Sequence, residues 1–192
     1  KDFRYAGIRT PLDHWQRWGS STVPATVEGW DRVTMSVAGL LSPAVVRNLI
    51  ENYALYDRGS DGAGGMTIKL LPRYFQYESV EKIVARATGE QESRGLIYHT
   101  QGSGKTLTMS WVATRLYCDP RMHNPTIIAV ADRTQLVAQT FAQFASAGVP
   151  EPVKATSTRA LQQALRTDER GLSSTTVHNL PGARAPTERQ NG

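Results

Sequence analysis

The sequence predicts an α/β fold in which a parallel β-sheet is flanked by helices. After residue 66, short apolar runs alternate with segments of helical periodicity. Turn-forming residues separate these segments, and a Gly-rich stretch lies between the apolar run at 94–99 and the helical pattern at 105–118. Alternation of this kind is typical of parallel strands connected by helices that cover the sheet.

Composition narrows the class of protein. The chain has 192 residues, of which 40% are hydrophobic, so it can bury a core. Its formal net charge of +5 favours a polyanionic partner but does not identify one. With a single cysteine, Cys118, the chain cannot form an internal disulfide, which fits a reducing compartment such as the cytoplasm. We expect this thiol to be buried at the end of a helix. No apolar run approaches the roughly 20 residues that span a bilayer, so we expect no membrane partner.

The N-terminal part has few periodic signals. Residues 1–39 carry three tryptophans without a clean period, and we predict a mostly irregular segment there. A helix is predicted over 42–53, because Ser42 is a favourable N-cap and Pro43 suits the first helical position.

A domain boundary is predicted in the Gly-, Asp- and Ser-rich stretch at 57–65. It separates a linker or domain tail, residues 1–65, from an α/β domain that begins at residue 66.

The elements predicted after residue 66 follow from periodicity, from apolar runs and from turn residues. They are, in order, a helix over 73–88, a buried strand over 94–99, a helix over 105–118, a buried strand over 126–131, a helix over 133–146, a strand over 153–157, a helix over 158–165 and a strand over 172–178. Residues 179–192 are predicted to form a loop.

The Gly-rich stretch predicts a phosphate-binding loop. Gly102 and Gly104 permit backbone conformations that direct N–H groups towards an anion, between a predicted strand and a predicted helix. Lys105 can reach the β- and γ-phosphates, and the Thr106 hydroxyl can ligate Mg²⁺. The match to G-x-x-x-x-G-K-[ST] is partial, because His99 occupies the first glycine position. The alternative is a flexible Gly-Ser turn with an exposed lysine.

Two residues near this loop are further candidates. The Gln76 side chain offers a donor and an acceptor together, which matches the N6 and N7 edge of adenine. Taken alone, a glutamine on an amphipathic helix is more often a surface residue, but beside a phosphate loop we favour the adenine contact. For His99 we expect a packed or loop-bracing role rather than a catalytic one.

Four segments together resemble the restriction (motor) subunit of type I restriction–modification enzymes, a member of helicase superfamily 2. They are "LPRYFQYESVEKIV", "LIYHTQGSGKTLTM", "PTIIAVADRTQLVAQTF" and "STTVHNL". The resemblance covers about residues 40–180 and is strongest over 72–144. It implies that residues 66–192 are the first part of a RecA-like motor domain, and that residues 1–65 are a nuclease-domain tail or linker.

The resemblance also implies residue roles. Nucleotide contacts fall on Gln76 and on motif I, which comprises Thr100, Gln101, Gly102, Ser103, Gly104, Lys105 and Thr106. Lys105 and Thr106 carry the catalytic roles, and Thr106 is the Mg²⁺ ligand. DNA-backbone contacts fall on the two following motifs, at Asp132, Arg133, Thr134, Leu136, Gln139, Thr175 and Thr176.

The implied activity is ATP-dependent translocation on double-stranded DNA, as part of a type I site-specific deoxyribonuclease. ATP and Mg²⁺ are the implied cofactors, and modification and specificity subunits are the implied protein partners. The acidic motif expected on the next strand is absent from these 192 residues, so we expect the fragment itself to hydrolyse ATP negligibly. Two alternatives remain: another superfamily 2 helicase or repair ATPase, and a non-catalytic remnant that binds nucleic acid by charge.

Overall fold

The structure is a computed structural model that describes most of the chain in two compact units, residues 1–115 and 116–192. The described residues are 3–8, 10–19, 29–58, 67–89, 94–123, 125–131, 153–166 and 171–180. The predicted boundary within 57–65 falls largely outside them and remains a prediction.

The first unit contains two small antiparallel ladders and most of the helices. β1 (Arg4–Tyr5) pairs with β2 (Gln16–Arg17), and a 3₁₀ turn at Leu12–His14 lies between them. β3 (Leu55–Arg58) pairs with β4 (Thr67–Leu70). The helices are α1 (Gly29–Leu40), α2 (Pro43–Asn52), α3 (Tyr74–Thr88) and α4 (Lys105–Cys118), the last continuing into the second unit.

Local signals explain the predicted helices that the structure confirms. The Ser42 hydroxyl accepts a hydrogen bond from the Val45 amide at 3.3 Å, and Pro43 is the first residue of α2. Helix α3 buries Val80 and Val84, which the helical period had placed on its apolar face. Helix α4 has the predicted bounds and ends before the Asp119-Pro120 pair.

The prediction of a mostly irregular segment over 1–39 is wrong at its C-terminal end, where α1 occupies residues 29–40. Only Ser36 and Leu40 of this helix are buried. The apolar residues Val33, Val37 and Leu40 recur at helical spacing, but the exposed Met35 and Ala38 lie off that face and obscure the period.

The predicted buried strand over 94–99 is also wrong. These residues form neither a strand nor a helix, and Leu96 and Tyr98 are 91% and 85% exposed. A buried strand needs paired neighbours, and no described strand pairs with this segment. The Gly-rich loop therefore follows an irregular, exposed segment and not the buried strand that was predicted to precede it.

A chain of aromatic rings crosses the first unit from β1 to α4. Tyr5 meets Trp18 at a centroid distance of 5.4 Å, and Trp18 meets Tyr77 at 5.5 Å. Tyr53 then lies between Tyr77 at 5.0 Å and Trp111 at 5.9 Å. Trp18, Tyr53 and Trp111 are almost fully buried. Large buried rings dominate core energetics, so this chain ties the N-terminal segment to α3 and α4.

A polar network lies beside the rings and joins α2, α3 and α4. Arg115 donates to Glu81 and to Asn48, both at 2.8 Å. The Tyr53 hydroxyl donates to Glu81 at 2.6 Å, and Asn48 donates to the Tyr77 hydroxyl at 3.0 Å. Burial, with the hydrogen bond to Glu81 second, raises the pKa of Tyr53 well above its ordinary value.

The second unit contains the predicted parallel sheet. β5 (Thr126–Ala131), β6 (Val153–Lys154) and β7 (Gly171–Thr176) are in the order β5-β7-β6, and both pairings are parallel. Helix α5 (Thr158–Arg166) connects β6 to β7 and buries Leu161, while Leu172 is buried on β7. These elements confirm an α/β fold with a small parallel sheet.

Two features near this sheet, the exposure of β5 and the exposure of Cys118, differ from expectation. Strand β5 is not fully buried, since Ile128 and Val130 are 37% and 38% exposed. The predicted helix over 133–146 lies outside the described residues. Cys118 is exposed, which contradicts the expected buried thiol, because α4 ends at this residue and leaves its side chain at the surface.

Among the described residues, no single helix has both the length and the apolar character to cross a membrane. The bent pair α1 and α2 meets those criteria only when the two helices are taken together, and only by length and composition.

Candidate nucleotide-binding site

The loop before α4 has the backbone conformation that its glycines predict. Gly102 and Gly104 have φ angles of +74° and +78°, in the left-handed region that favours glycine. Helix α4 begins at Lys105, and the first N–H groups of any helix lack intrahelical acceptors. The positive end of the helix dipole lies at the same place, so the loop and the start of α4 suit an anion.

The Lys105 amine lies across the start of the loop. Its Nζ donates to the carbonyl oxygens of His99 at 3.0 Å and of Thr100 at 2.8 Å. Both acceptors are neutral and Lys105 is exposed. Phosphate oxygens would form stronger, charge-assisted bonds with this amine and could replace the carbonyls.

Gln76 is buried against the loop, at 3% exposure, and is not a surface glutamine. Its Nε2 donates to the Ser103 carbonyl at 3.0 Å and to the Gly104 carbonyl at 3.2 Å. Its Oε1 accepts from the Arg73 amide at 2.8 Å, which satisfies one of the free N–H groups at the start of α3. Gln76 therefore links the start of α3 to the loop.

His99 braces the start of the loop against α3, as expected. Its Nε2 lies 3.1 Å from the Ser79 hydroxyl, and its ring packs edge-on against Phe75 at a centroid distance of 5.0 Å. Both partners belong to α3, so this helix holds the loop at two points, through Gln76 and through His99.

A cavity of about 420 Å³ opens beside the loop. Its lining includes Gln76, Gly102, Ser103 and Gly104, together with residues of the N-terminal segment. The Ser103 hydroxyl oxygen is buried and has no hydrogen-bond partner among the described residues. A buried polar atom without a partner is costly in a folded protein, and one in the lining of a cavity points to a ligand.

The residues present fit a nucleotide phosphate chain. The loop supplies backbone N–H groups, a lysine and a buried hydroxyl, and Thr106 lies in the first turn of α4 where a hydroxyl can reach a phosphate-bound Mg²⁺. No group of three or more His, Cys, Asp or Glu side chains that could hold a metal ion occurs within the described part of the chain. A Mg²⁺ ion here would therefore depend on the phosphates and on Thr106.

The predicted DNA-contacting residues follow this loop in the sequence, at 132–139 and at 175–176. Asp132, Arg133, Thr134, Leu136 and Gln139 lie outside the described residues. Thr175 and Thr176 are at the end of β7 in the second unit.

Both threonines are buried, and Thr175 is fully so. The Thr175 hydroxyl donates to the Ala155 carbonyl at 2.9 Å and accepts from Asn179 at 3.2 Å. A DNA contact through this hydroxyl would require it to leave Ala155.

The contribution of the N-terminal segment to the cavity lining was not predicted from the sequence. Tyr5, Ala6, Gly7, Thr10, Pro11, His14 and Gln16 all line the cavity. The only local signal is the turn chemistry of Gly7 and Pro11, which indicates a bend but not its partner.

Comparison with known proteins gives one family match and several relatives. The sequence pattern of the family described as SWI2/SNF2 ATPase matches residues 75–191, more than half of the chain. The type I restriction enzyme HindI endonuclease subunit of Haemophilus influenzae is 37% identical over 121 residues, which cover 60% of this chain and 11% of that subunit.

Two further relatives come from Methanocaldococcus jannaschii. The putative type I restriction enzyme MjaVIIIP endonuclease subunit is 34% identical over 52% of this chain and 10% of its own length. The putative MjaVIIP endonuclease subunit is 28% identical over 69% of this chain and 12% of its own length. The chain thus spans about a tenth of these relatives, and their names confirm the resemblance seen in the sequence.

Proposed function

The chain belongs to the SWI2/SNF2 ATPase family, and we propose on that premise that it binds ATP and Mg²⁺ through the loop at residues 100–106. The observation that carries the proposal is the loop itself. Two glycines with positive φ precede the start of a 14-residue helix, a lysine begins that helix, and a cavity opens beside it.

Each loop residue has a proposed role that follows from its chemistry. The backbone N–H groups around Gly102 and Gly104 and the hydroxyl of Ser103 bind phosphate oxygens. The Lys105 amine leaves the His99 and Thr100 carbonyls and neutralises charge on the β- and γ-phosphates. Thr106 holds Mg²⁺, which supplies further neutralisation of the phosphate charge when bound. Thr100 and Gln101 form the start of the loop.

The adenine contact proposed for Gln76 has a structural consequence. Both N–H groups of its amide are directed to the Ser103 and Gly104 carbonyls, whereas Oε1 accepts only one bond from Arg73. Oε1 can therefore accept from adenine N6 with its second lone pair. Donation to N7 would require Nε2 to release one loop carbonyl, so base recognition and loop conformation would be coupled.

For the longer protein we propose the motor part of a type I restriction endonuclease, an ATP-dependent translocase on double-stranded DNA. The names of the relatives and the ATPase family support this proposal. The sheet and its helix would belong to a RecA-like domain, with DNA-backbone contacts at Arg133, Thr134, Gln139, Thr175 and Thr176. Modification and specificity subunits would be its partners in the cytoplasm.

A titration of the 192-residue chain with ATP and Mg²⁺ tests the nucleotide site. The variant Lys105→Ala should bind at least about tenfold more weakly, a difference of about 1.4 kcal/mol. Because the lysine is exposed and its present acceptors are neutral carbonyls near solvent, we expect the variant to remain folded.

The matched control is Lys82→Ala, which removes an exposed lysine from α3 at a position that does not line the cavity. It should bind ATP as the unmodified chain does. Equal ATP affinity for Lys105→Ala and the unmodified chain would contradict the proposed site.

A further inference from the structure

We propose that the cavity-lining residues of the N-terminal segment, which lie within 5–7 and 10–16, form the wall against which the purine base of the nucleotide binds. The inference rests on the proposed ATP site and extends it to a segment whose role the sequence does not indicate. It makes this segment part of the nucleotide-binding unit rather than a linker outside it.

The cavity connects the phosphate loop to this segment. The loop contributes Gly102, Ser103 and Gly104 to the lining, and the N-terminal segment contributes Ala6, Gly7 and Pro11. A triphosphate held by the loop would leave its nucleoside in the remaining space. At about 420 Å³, the cavity is within the usual range for small-molecule sites, roughly 300–1,000 Å³.

The chemistry of the lining suits a flat aromatic base. The lining includes the apolar side chains of Leu70, Leu71 and Leu107 and the small residues Ala6 and Gly7, so the cavity is mostly apolar. Arg73 also lines it, and a guanidinium over an aromatic face contributes a favourable cation–π interaction. Gln76 adds a polar amide to this apolar cavity, and a polar group in an apolar site fixes the orientation of a ligand.

The segment is held in place before any ligand binds. The Tyr5 hydroxyl donates to the Pro72 carbonyl, and Trp18, which follows β2, is 4% exposed and packs on both Tyr5 and Tyr77. Because Tyr77 is adjacent to Gln76 on α3, the same helix positions the N-terminal wall and the glutamine. A preformed wall lowers the ordering cost of binding.

A variant that fills the cavity beside the N-terminal segment tests the inference. In Ala6→Trp a large ring replaces a methyl group that lines the cavity, whereas Ile8→Trp places the same ring at a neighbouring position that is 76% exposed and absent from the lining. The probes are ATP with Mg²⁺, which carries a base, and inorganic tripolyphosphate with Mg²⁺, which does not.

We expect Ala6→Trp to weaken ATP binding at least about tenfold and to change tripolyphosphate binding less than about twofold. Ile8→Trp should leave both affinities unchanged. If Ala6→Trp binds ATP as Ile8→Trp does, or loses both ligands equally, the base-binding wall is refuted.

Hydrogen exchange on the unmodified chain provides a measurement that does not depend on a variant folding. ATP should slow exchange of amides within residues 4–17 at least about threefold more than tripolyphosphate does. Equal effects of the two ligands on this segment would overturn the inference while leaving the phosphate loop intact. Failure of the unmodified chain to bind either ligand would instead refute the proposed ATP site.

Discussion

The side-chain nitrogen Nε2 of Gln76 lies so close to Gly104 that a Cβ atom at position 104 would be 2.6 Å from it. Gly104 also has a φ of +78°, which disfavours any residue with a side chain. We expect Gly104→Ala to lower the free energy of unfolding by about 2–4 kcal/mol, from left-handed strain together with displacement of Gln76. Denaturant unfolding measures the change.

Gly102 is the matched control for this prediction. Its φ is +74°, but a Cβ there would meet nothing within 4 Å, so Gly102→Ala reports backbone strain alone. In a Gln76→Ala background the two alanine variants should become equally destabilising, because the clashing amide is gone. A Gly104→Ala variant no less stable than Gly102→Ala would show that the contact with Gln76 is unimportant.

Replacing Gln76 by glutamate should disturb the loop without changing side-chain size. The carboxylate keeps an acceptor for the Arg73 amide but cannot donate to the Ser103 and Gly104 carbonyls. We expect a loss of about 1–3 kcal/mol in the free energy of unfolding and weaker ATP binding. Gln162→Glu on α5, where the side chain is exposed, is the control and should stay within about 0.5 kcal/mol. Unchanged unfolding of Gln76→Glu would argue against the bridging role.

Much of the α/β fold was predictable because its signals are local. The N-cap at Ser42, the stop at Asp119-Pro120 and the glycines at 102 and 104 each act within a few residues of the chain. The lysine at the start of α4 and the bracing role of His99 follow from the same short stretch. Three of the four strands predicted from alternation form the parallel sheet.

The features that were not predicted depend on distant partners. Whether the apolar run at 94–99 becomes a strand depends on a neighbour that its own residues do not specify. The cavity wall at Ala6 and Gly7 depends on where the chain brings Tyr5 and Trp18 against α3. Likewise, Gln76 was identified from its amide chemistry, but its bonds to the loop carbonyls are a tertiary contact.

The ion pair between Arg115 and Glu81 should contribute measurably to the packing of α4 on α3. The two side chains are 17% and 34% exposed, and their N–O distance is 2.8 Å. A double-mutant cycle with Arg115→Met and Glu81→Gln should give a coupling energy of about 1–2 kcal/mol. This is less than a fully buried charged hydrogen bond would give, because solvent partly screens the two charges.

The pair Arg121 and Asp119 provides the comparison for that cycle. Its distance is 2.6 Å, but the Arg121 side chain is 63% exposed, so its coupling should be smaller. Equal coupling energies in the two cycles would mean that burial does not strengthen the Arg115–Glu81 pair.

Alkaline pH should destabilise the first unit through Tyr53. Burial and the bond to Glu81 raise the folded-state pKa of Tyr53 above the unfolded value of about 10. Its stabilising contribution is therefore complete below about pH 10 and is lost above it, because the unfolded chain releases the proton first. The free energy of unfolding should fall with rising pH from that point, and the fall should be shallower in Tyr53→Phe.

Tyr98→Phe, which removes a phenol that is 85% exposed, controls for the loss of a hydroxyl group. Burial also raises the pKa of Tyr5 and Tyr77, so some alkaline slope should persist in Tyr53→Phe. If the slope above pH 10 were the same in Tyr53→Phe as in the unmodified chain, the buried Tyr53–Glu81 bond would not be its source.

The hydroxyl of Thr175 is predicted to stabilise the second unit. It is fully buried and bonds to Ala155 and Asn179, so Thr175→Val leaves the shape unchanged but removes both bonds. Asn179 still donates to the Ala155 carbonyl at 3.2 Å, which limits the expected loss to about 1–2 kcal/mol. Thr175→Ser should retain most of the stability, and Thr126→Val, at an exposed position on β5, should change it by less than about 0.5 kcal/mol.

Unfolding curves and duplex-DNA titrations of the same variants separate the role of the Thr175 hydroxyl in stability from its proposed role in DNA binding. A Thr175→Val variant of unchanged stability that binds DNA more weakly would show that the hydroxyl serves the DNA contact and not the fold.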